Sequence, residues 1–179
     1  MEERFWHRFY PEKVRWSLDY PNVPLPRLVE DAARDDGTTT ALVFFNRRFS
    51  CSWLGEQVDR LAAALSAMGA DYMPFPLSVL YPMKAKKEGH FRAMLTHRNL
   101  LANALQCREW NAEARPGDEG ILAALPLFHS YGMTTCMNFG ILMHSPIVLM
   151  PRFNAMDAMK AIQKHIWGQN KIGTIGLKP

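Results

Sequence analysis

Two short stretches of this 179-residue chain hold side chains whose types and spacing could do chemistry. The first is Phe128, His129, Ser130, Tyr131 and Gly132, set between two apolar runs. A serine beside an imidazole is half of a nucleophilic pair. No acid partner is identifiable, however, and no Gly-x-Ser-x-Gly turn surrounds Ser130. The stretch therefore reads as pocket lining around His129, and no catalytic residue is assigned. The second is Thr96 and His97, where a helical pattern begins behind the cations Lys84, Lys86, Lys87 and Arg92, with Glu88 the one acid among them. A helix N-terminus beside cations suits an anion, which makes Thr96 and His97 the candidate phosphate-proximal residues. The competing reading of the basic run is a solvated connector.

Other chemistry is excluded on composition and spacing. No metal spacing links the histidines, and His144 and His165 stand alone. Cys51, Cys107 and Cys136 make no Cys-x-x-Cys pair, so neither a zinc site nor a disulfide framework is expected. Cysteines so placed fit a reducing compartment; the N-terminus has no apolar core of signal-peptide length, and the expected location is cytoplasmic, with a membrane touched only peripherally. The net charge of +4 comes without a repeated basic face, so nucleic acid is not an expected partner. Ile121–Met150 is the most apolar region, but Pro126, His129, Asn138, His144 and Pro146 interrupt it, and no transmembrane segment is expected.

The elements that must position these residues follow from periodicity. Residues 4–26 are rich in aromatics and prolines, which forbids a long helix and predicts a segment that wraps over a surface by aromatic burial. Leu28–Arg34 reads as a short helix and Thr40–Phe45 as a buried strand, with Asn46 and Arg47 turning the chain. Ser50 is placed to cap a helix running to about Met68, its stripe formed by Leu54, Val58, Leu61, Ala62 and Leu65. From Asp71 to Ala93 no period emerges. Order returns with Thr96 as an N-cap, Leu95 stapled on Leu100, and a buried face of Leu100, Leu101, Ala104 and Leu105. A strand Ile121–Leu125, a loop Phe128–Gly132, an apolar helix to about His144, a strand Ile147–Met150 and a helix Met156–His165 complete the pattern. Helix, strand, helix, strand, helix predicts an α/β fold: a partial parallel or mixed sheet with crossover helices.

Two blocks resemble the adenylate-forming, AMP-binding acyl-CoA synthetases of the long-chain-fatty-acid–CoA ligase type. The first spans residues 5–69 and rests on Tyr10-Pro11, Leu18 to Pro21, Pro24-Leu25, Thr40 to Leu42 and Val58 to Leu65; Trp53 stands where the family usually has a cap-completing glutamate. The second spans residues 93–165 and rests on Ala93 to Leu100, Ala124 to Met133 and Pro151 to Phe153. The resemblance implies part of the large N-terminal domain of those enzymes. It implies ATP, Mg²⁺ and CoA as the parental cofactors and a fatty acid or other small carboxylate as the parental substrate. It also implies that Phe128, His129, Ser130, Tyr131 and Gly132 line the parental acyl and adenylate pocket. The family's phosphate loop, approximately Ser-Gly-Thr-Thr-Gly-x-Pro-Lys-Gly, is replaced by Lys84 to Arg92, which has no hydroxyl and only Gly89 as glycine. The family's downstream motifs are not recognised after His165.

The expected organisation is thus an N-terminal fragment with an internal deletion. Residues 1–69 form the first segment of the AMP-binding domain, 70–93 an irregular junction, 94–165 its continuation and 166–179 a frayed tail. Such a chain is expected to be inactive as a ligase by itself, with its own binding of ATP, Mg²⁺ and CoA not expected. The alternative is a non-catalytic remnant that binds an acyl group or a partner, or itself, through bared apolar faces of Leu100–Leu105 and Ile121–Met150. A reading-frame error across residues 70–93 and after His165 would leave the same pattern.

Overall fold

In the computed structural model, which describes residues 4–69, 77–80 and 92–165, a four-stranded sheet runs in the order β2 (Arg47–Ser50), β1 (Thr40–Phe44), β6 (Ile147–Leu149) and β5 (Ile121–Ala123). Expectations for the junction's Lys84, Lys86 and Lys87 and for the 166–179 tail lie outside the described residues. β1 (Thr40–Phe44) and β2 (Arg47–Ser50) form an antiparallel hairpin, while β1 and β5 (Ile121–Ala123) both run parallel to β6 (Ile147–Leu149). The mixed α/β sheet and its crossovers are as the element order predicts. The hairpin turn falls at Phe45 and Asn46, one residue before the predicted turn, because both adopt positive φ (45° and 62°) and Arg47 already pairs with Phe44. That is the backbone of a two-residue hairpin whose twist matches its strands.

Alternation along the parallel strands gives the sheet two faces. Ile121, Ala123 and Ile147 join Cys136, Phe139 and Met143 on one face, all at most 2% exposed. Val43, Leu122 and Val148 join Ala158 on the other. The first face is covered by α3 (His97–Trp110), by a π-helix (Gly132–Asn138) running straight into α4 (Phe139–Leu142), and by α1 (Arg27–Asp35). Among the described residues, α5 (Ala155–His165) packs on the second face through Ala158, Ala161 and Ile162.

Local rules account for the helix starts. Ser50 Oγ accepts from the Trp53 N–H at 3.1 Å and opens α2 (Cys51–Ala67), and the Trp53 ring packs on Phe49 where a glutamate would have bonded back. At α3 the cap is reciprocal: Asn99 N–H donates to Thr96 Oγ1 (3.2 Å) and Thr96 N–H to Asn99 Oδ1 (2.9 Å). Leu100, Leu101 and Ala104 are buried as predicted, and the sheet face over Ile121–Met150 is covered too. Of the two faces expected to lie bare, the greater part is therefore covered, while Leu125, Phe128 and Tyr131 stay exposed. The exposed apolar stripe lies instead on α2, where Leu61 is 61% and Leu65 45% exposed, because no described element packs on that side.

Two further differences concern segments with weak periodicity. β3 (Leu77–Leu80) and β4 (Arg92–Leu95) form an antiparallel pair of their own, from Leu77 opposite Leu95 to Leu80 opposite Arg92. The N-terminal segment crosses α3, and only part of its aromatic set holds it there: Tyr10 packs on Trp110 of α3 with ring centroids 5.4 Å apart, while Phe5 and Phe9 are largely exposed and His7 stacks on Trp16. It is pinned by Val14, by the Tyr20 hydroxyl accepting from Gln106, and by a two-pronged Arg15–Glu109 pair at 2.8 and 2.9 Å. Hydrogen bonds from Arg15 hold the Glu109 carboxyl down to about 2.

Candidate functional site

Beyond β5 the chain bends at Pro126 and enters a helix at Ser130, so Ser130, Tyr131 and Gly132 occupy a first helical turn rather than a loop. His129 N–H donates to the Pro126 carbonyl (3.0 Å), and the His129 carbonyl accepts from Met133 N–H (2.8 Å). The His129 ring turns back over this start: Nδ1 accepts from Tyr131 N–H at 3.2 Å. Nδ1 must be unprotonated to do so, which places the ring proton on Nε2. Gly132 is required by a close approach, since a Cβ there would lie 2.6 Å from the Pro126 carbonyl oxygen. Thr135 Oγ1 donates to the Tyr131 carbonyl at 2.8 Å, competing with the backbone N–H, and the turn widens to π geometry.

The five residues 128–132 are thus held by one tight backbone unit, but they do not enclose anything. Phe128 is 89% exposed, His129 and Tyr131 are exposed, Ser130 is half-buried and Gly132 is buried. No acid lies within hydrogen-bond reach of Ser130 or His129 among the described residues. Thr96 is exposed and spends its hydroxyl and N–H on Asn99; His97 is half-buried, with Nδ1 shielded and without a partner. Among the described residues no hydrogen bond or ion pair joins Thr96 or His97 to 128–132, although α3 packs against the π-helix.

Among the described residues, the groups an ATP–magnesium site requires do not converge. No cluster of three His, Cys, Asp or Glu side chains that could hold a metal ion occurs among the described residues. The start of α3 is already capped by its own Asn99. The described residues by themselves do not make a nucleotide site. Burial raises the Cys51 and Cys107 thiols, which removes them as nucleophiles.

The sequence reading missed a cleft of about 500 Å³ beyond the carboxyl ends of β1 and β6. Val43 and Val148 lie at its floor, the Phe45-Asn46 turn forms one wall, and Arg152 with Lys160, Lys164 and His165 of α5 forms the other. His165 is not isolated: Nε2 lies 3.3 Å from Asn46 Oδ1, which also accepts from Lys164 Nζ at 3.0 Å. Burial, with Lys164 and Arg48 nearby, pushes its imidazole down. Lys160 and Lys164, one helical turn apart, are the signal that was in the sequence. Their partner Asn46 is 118 residues away from Lys164 and invisible to local reading. His144 is likewise not isolated; Nδ1 pairs with Asp36 and clasps the end of α4 to the α1–β1 loop.

Comparison with known proteins bears on the family and the fold. The sequence profile of the AMP-binding enzymes matches residues 92–167. A long-chain-fatty-acid–CoA ligase of Bacillus subtilis (strain 168) is 27% identical over 143 residues, covering 53% of this chain and 26% of that protein. A 4-coumarate–CoA ligase-like protein (number 3) of Oryza sativa subsp. japonica is 30% identical over 155 residues, covering 83% of this chain and 25% of its own length. The chain thus spans about a quarter of the length of these curated relatives. Among solved structures, a double mutant of o-succinylbenzoate CoA synthetase from Bacillus subtilis, bound to a product analogue, superposes with a TM-score of 0.67 at 12% identity. The match covers 80% of this chain and 47% of that one. The same synthetase in complex with ATP and magnesium ion gives 0.63 at 15% identity, over 77% of this chain and 60% of that one. At such identities the superposition establishes the fold.

Proposed function

We propose that this chain, whose residues 92–167 match the AMP-binding enzymes, is the acid-binding portion of an ATP-dependent fatty acid–CoA ligase fold and does not turn over by itself. The parental reaction would join a carboxylate to AMP and then to the thiol of CoA, with Mg²⁺ offsetting charge as pyrophosphate leaves. In that scheme Phe128, His129, Ser130, Tyr131 and Gly132 line the acyl and adenylate pocket, and Thr96 and His97 lie toward the phosphates.

The observation that carries the proposal is the openness of the 128–132 turn. Its backbone is fixed by Gly132 against Pro126, yet Phe128 is 89% exposed, with no opposing wall among the described residues. A preorganised half-site can present an imidazole Nε2–H and an aromatic edge to an acid. It cannot exclude water or hold a triphosphate in line for attack. The test is carboxylate-dependent formation of AMP by the purified chain with ATP, Mg²⁺ and a panel of fatty and aryl acids. No turnover above the acid-free control is expected; stoichiometric or catalytic AMP release would overturn the proposal.

A second reading, a non-catalytic binding module, is favoured by the exposed α2 stripe of Leu61, Leu65 and Met68, the last 82% exposed. Sedimentation equilibrium separates the two: concentration-dependent association abolished by Leu61→Lys with Leu65→Lys supports it, and a monomer at all concentrations counts against it.

A further inference from the structure

We propose that the cleft between the Phe45-Asn46 turn and α5 binds a phosphate monoester carried on an aromatic or apolar body. The charges around it are unbalanced. Arg152, Lys160 and Lys164 face it with Asp157 as the one acid in its lining. Arg152 makes no ion pair among the described residues, and Lys160 reaches Asp157 only at 3.9 Å, both side chains being largely exposed. Lys164 uses one N–H on Asn46 Oδ1 and keeps two. An oxyanion is the missing counter-charge, and such charge-assisted bonds are the strong ones.

His165 is 3% exposed and lines the cleft, and because Asn46 Oδ1 accepts from Lys164, the His165 ring proton belongs on Nε2, facing that oxygen. Charge narrows the choice of anion: a phosphate monoester, whose second pKa is about 6, brings up to two negative charges to the cations, where a carboxylate or a sulfate ester brings one.

The body attached to the phosphate is read from the rest of the lining. The floor is apolar, from Val43 and Val148, and Phe45 at the mouth is 74% exposed with φ +45°. Here it offers a ring face beside the cations.

The experiment is a calorimetric titration of the whole chain with phenyl phosphate, inorganic phosphate and phenyl sulfate. Phenyl phosphate is expected to bind more tightly than inorganic phosphate by roughly 3- to 10-fold, the contribution of one ring contact. Phenyl sulfate is expected to bind more weakly still than phenyl phosphate. Phe45→Ser should erase the first difference without weakening inorganic phosphate. Arg152→Gln with Lys164→Gln should weaken phenyl phosphate by about 10-fold or more. If the double variant does not fold by circular dichroism, acetylation of the unaltered chain decides: phenyl phosphate must slow modification of Lys160 and Lys164. Absence of saturable binding, indifference to sulfate for phosphate, or unprotected lysines would each overturn the proposal. No residue of 128–132 lines this cleft, and the titration contains neither ATP nor an acid substrate, so it fails separately from the ligase reading.

Discussion

The two faces of the sheet differ in how completely they are covered, although neighbouring residues of the same strand supply both. On one face Ile121, Ala123 and Ile147 meet a π-helix, α3 and α4, and their partners Cys136, Phe139 and Met143 are at most 2% exposed. On the other, Val43, Leu122 and Val148 meet Ala158 of α5, and beside that contact a cleft of about 500 Å³ opens at the strand ends. The closed face supplies stability. The half-open face keeps polar and cationic groups near a floor of apolar ones, which is the make-up of a ligand site.

Adjacent positions on β6 give the strongest test of this contrast. Ile147→Ala removes a side chain 1% exposed from the closed face and should cost about 2–5 kcal/mol in chemical denaturation. Val148→Ala, next to it but facing α5, should cost roughly 1.5 kcal/mol, two methyl groups at about 0.8 each. Equal losses per carbon removed, three from Ile147 and two from Val148, would mean the faces are equally packed. The next effect in size belongs to Gly132→Ala: a helical alanine ordinarily gains stability, but here its Cβ meets the Pro126 carbonyl, and a loss of about 1–3 kcal/mol is expected. A gain would show that the 126–132 turn is loose.

The half-open face should also give the molecule a pH signature. The folded His165 imidazole is held below its ordinary value of 6.5, chiefly by burial, so the unfolded chain binds its proton first. The resulting stability is fully present above about pH 6.5 and is lost as pH falls from there toward the folded value. Denaturation midpoints followed from about pH 7.5 to about pH 5 should fall, and His165→Gln should flatten the profile. The smallest effect is expected on α2: Leu61→Lys should change stability by less than about 0.5 kcal/mol, since that side chain is 61% exposed. A large loss would place a partner element on that stripe.

Helix starts and strand cores were legible because their causes are local. Thr96 and Ser50 announce caps within four residues, and Ile121 and Ile147 sit in short apolar runs. Residues 128–132 were legible as a unit by composition, but not as a helix start, since the interaction that shapes them is a glycine contact with Pro126. The 152–165 cleft was not legible. Asn46 meets Lys164 and His165 only after β1 and β6 pair, and no spacing along the chain encodes that meeting.

What the sequence determined alone is therefore the set of elements, their order, the α/β class and the kinship with adenylate-forming ligases, all of which depend on periodicity, caps and short motifs. What the tertiary structure decided is burial. The stripes of α2 and α3 read alike as patterns of leucine and alanine, yet Leu101 is 2% exposed and Leu61 61%. An amphipathic face states only that a helix can be covered; whether it is depends on which element the sheet brings to it.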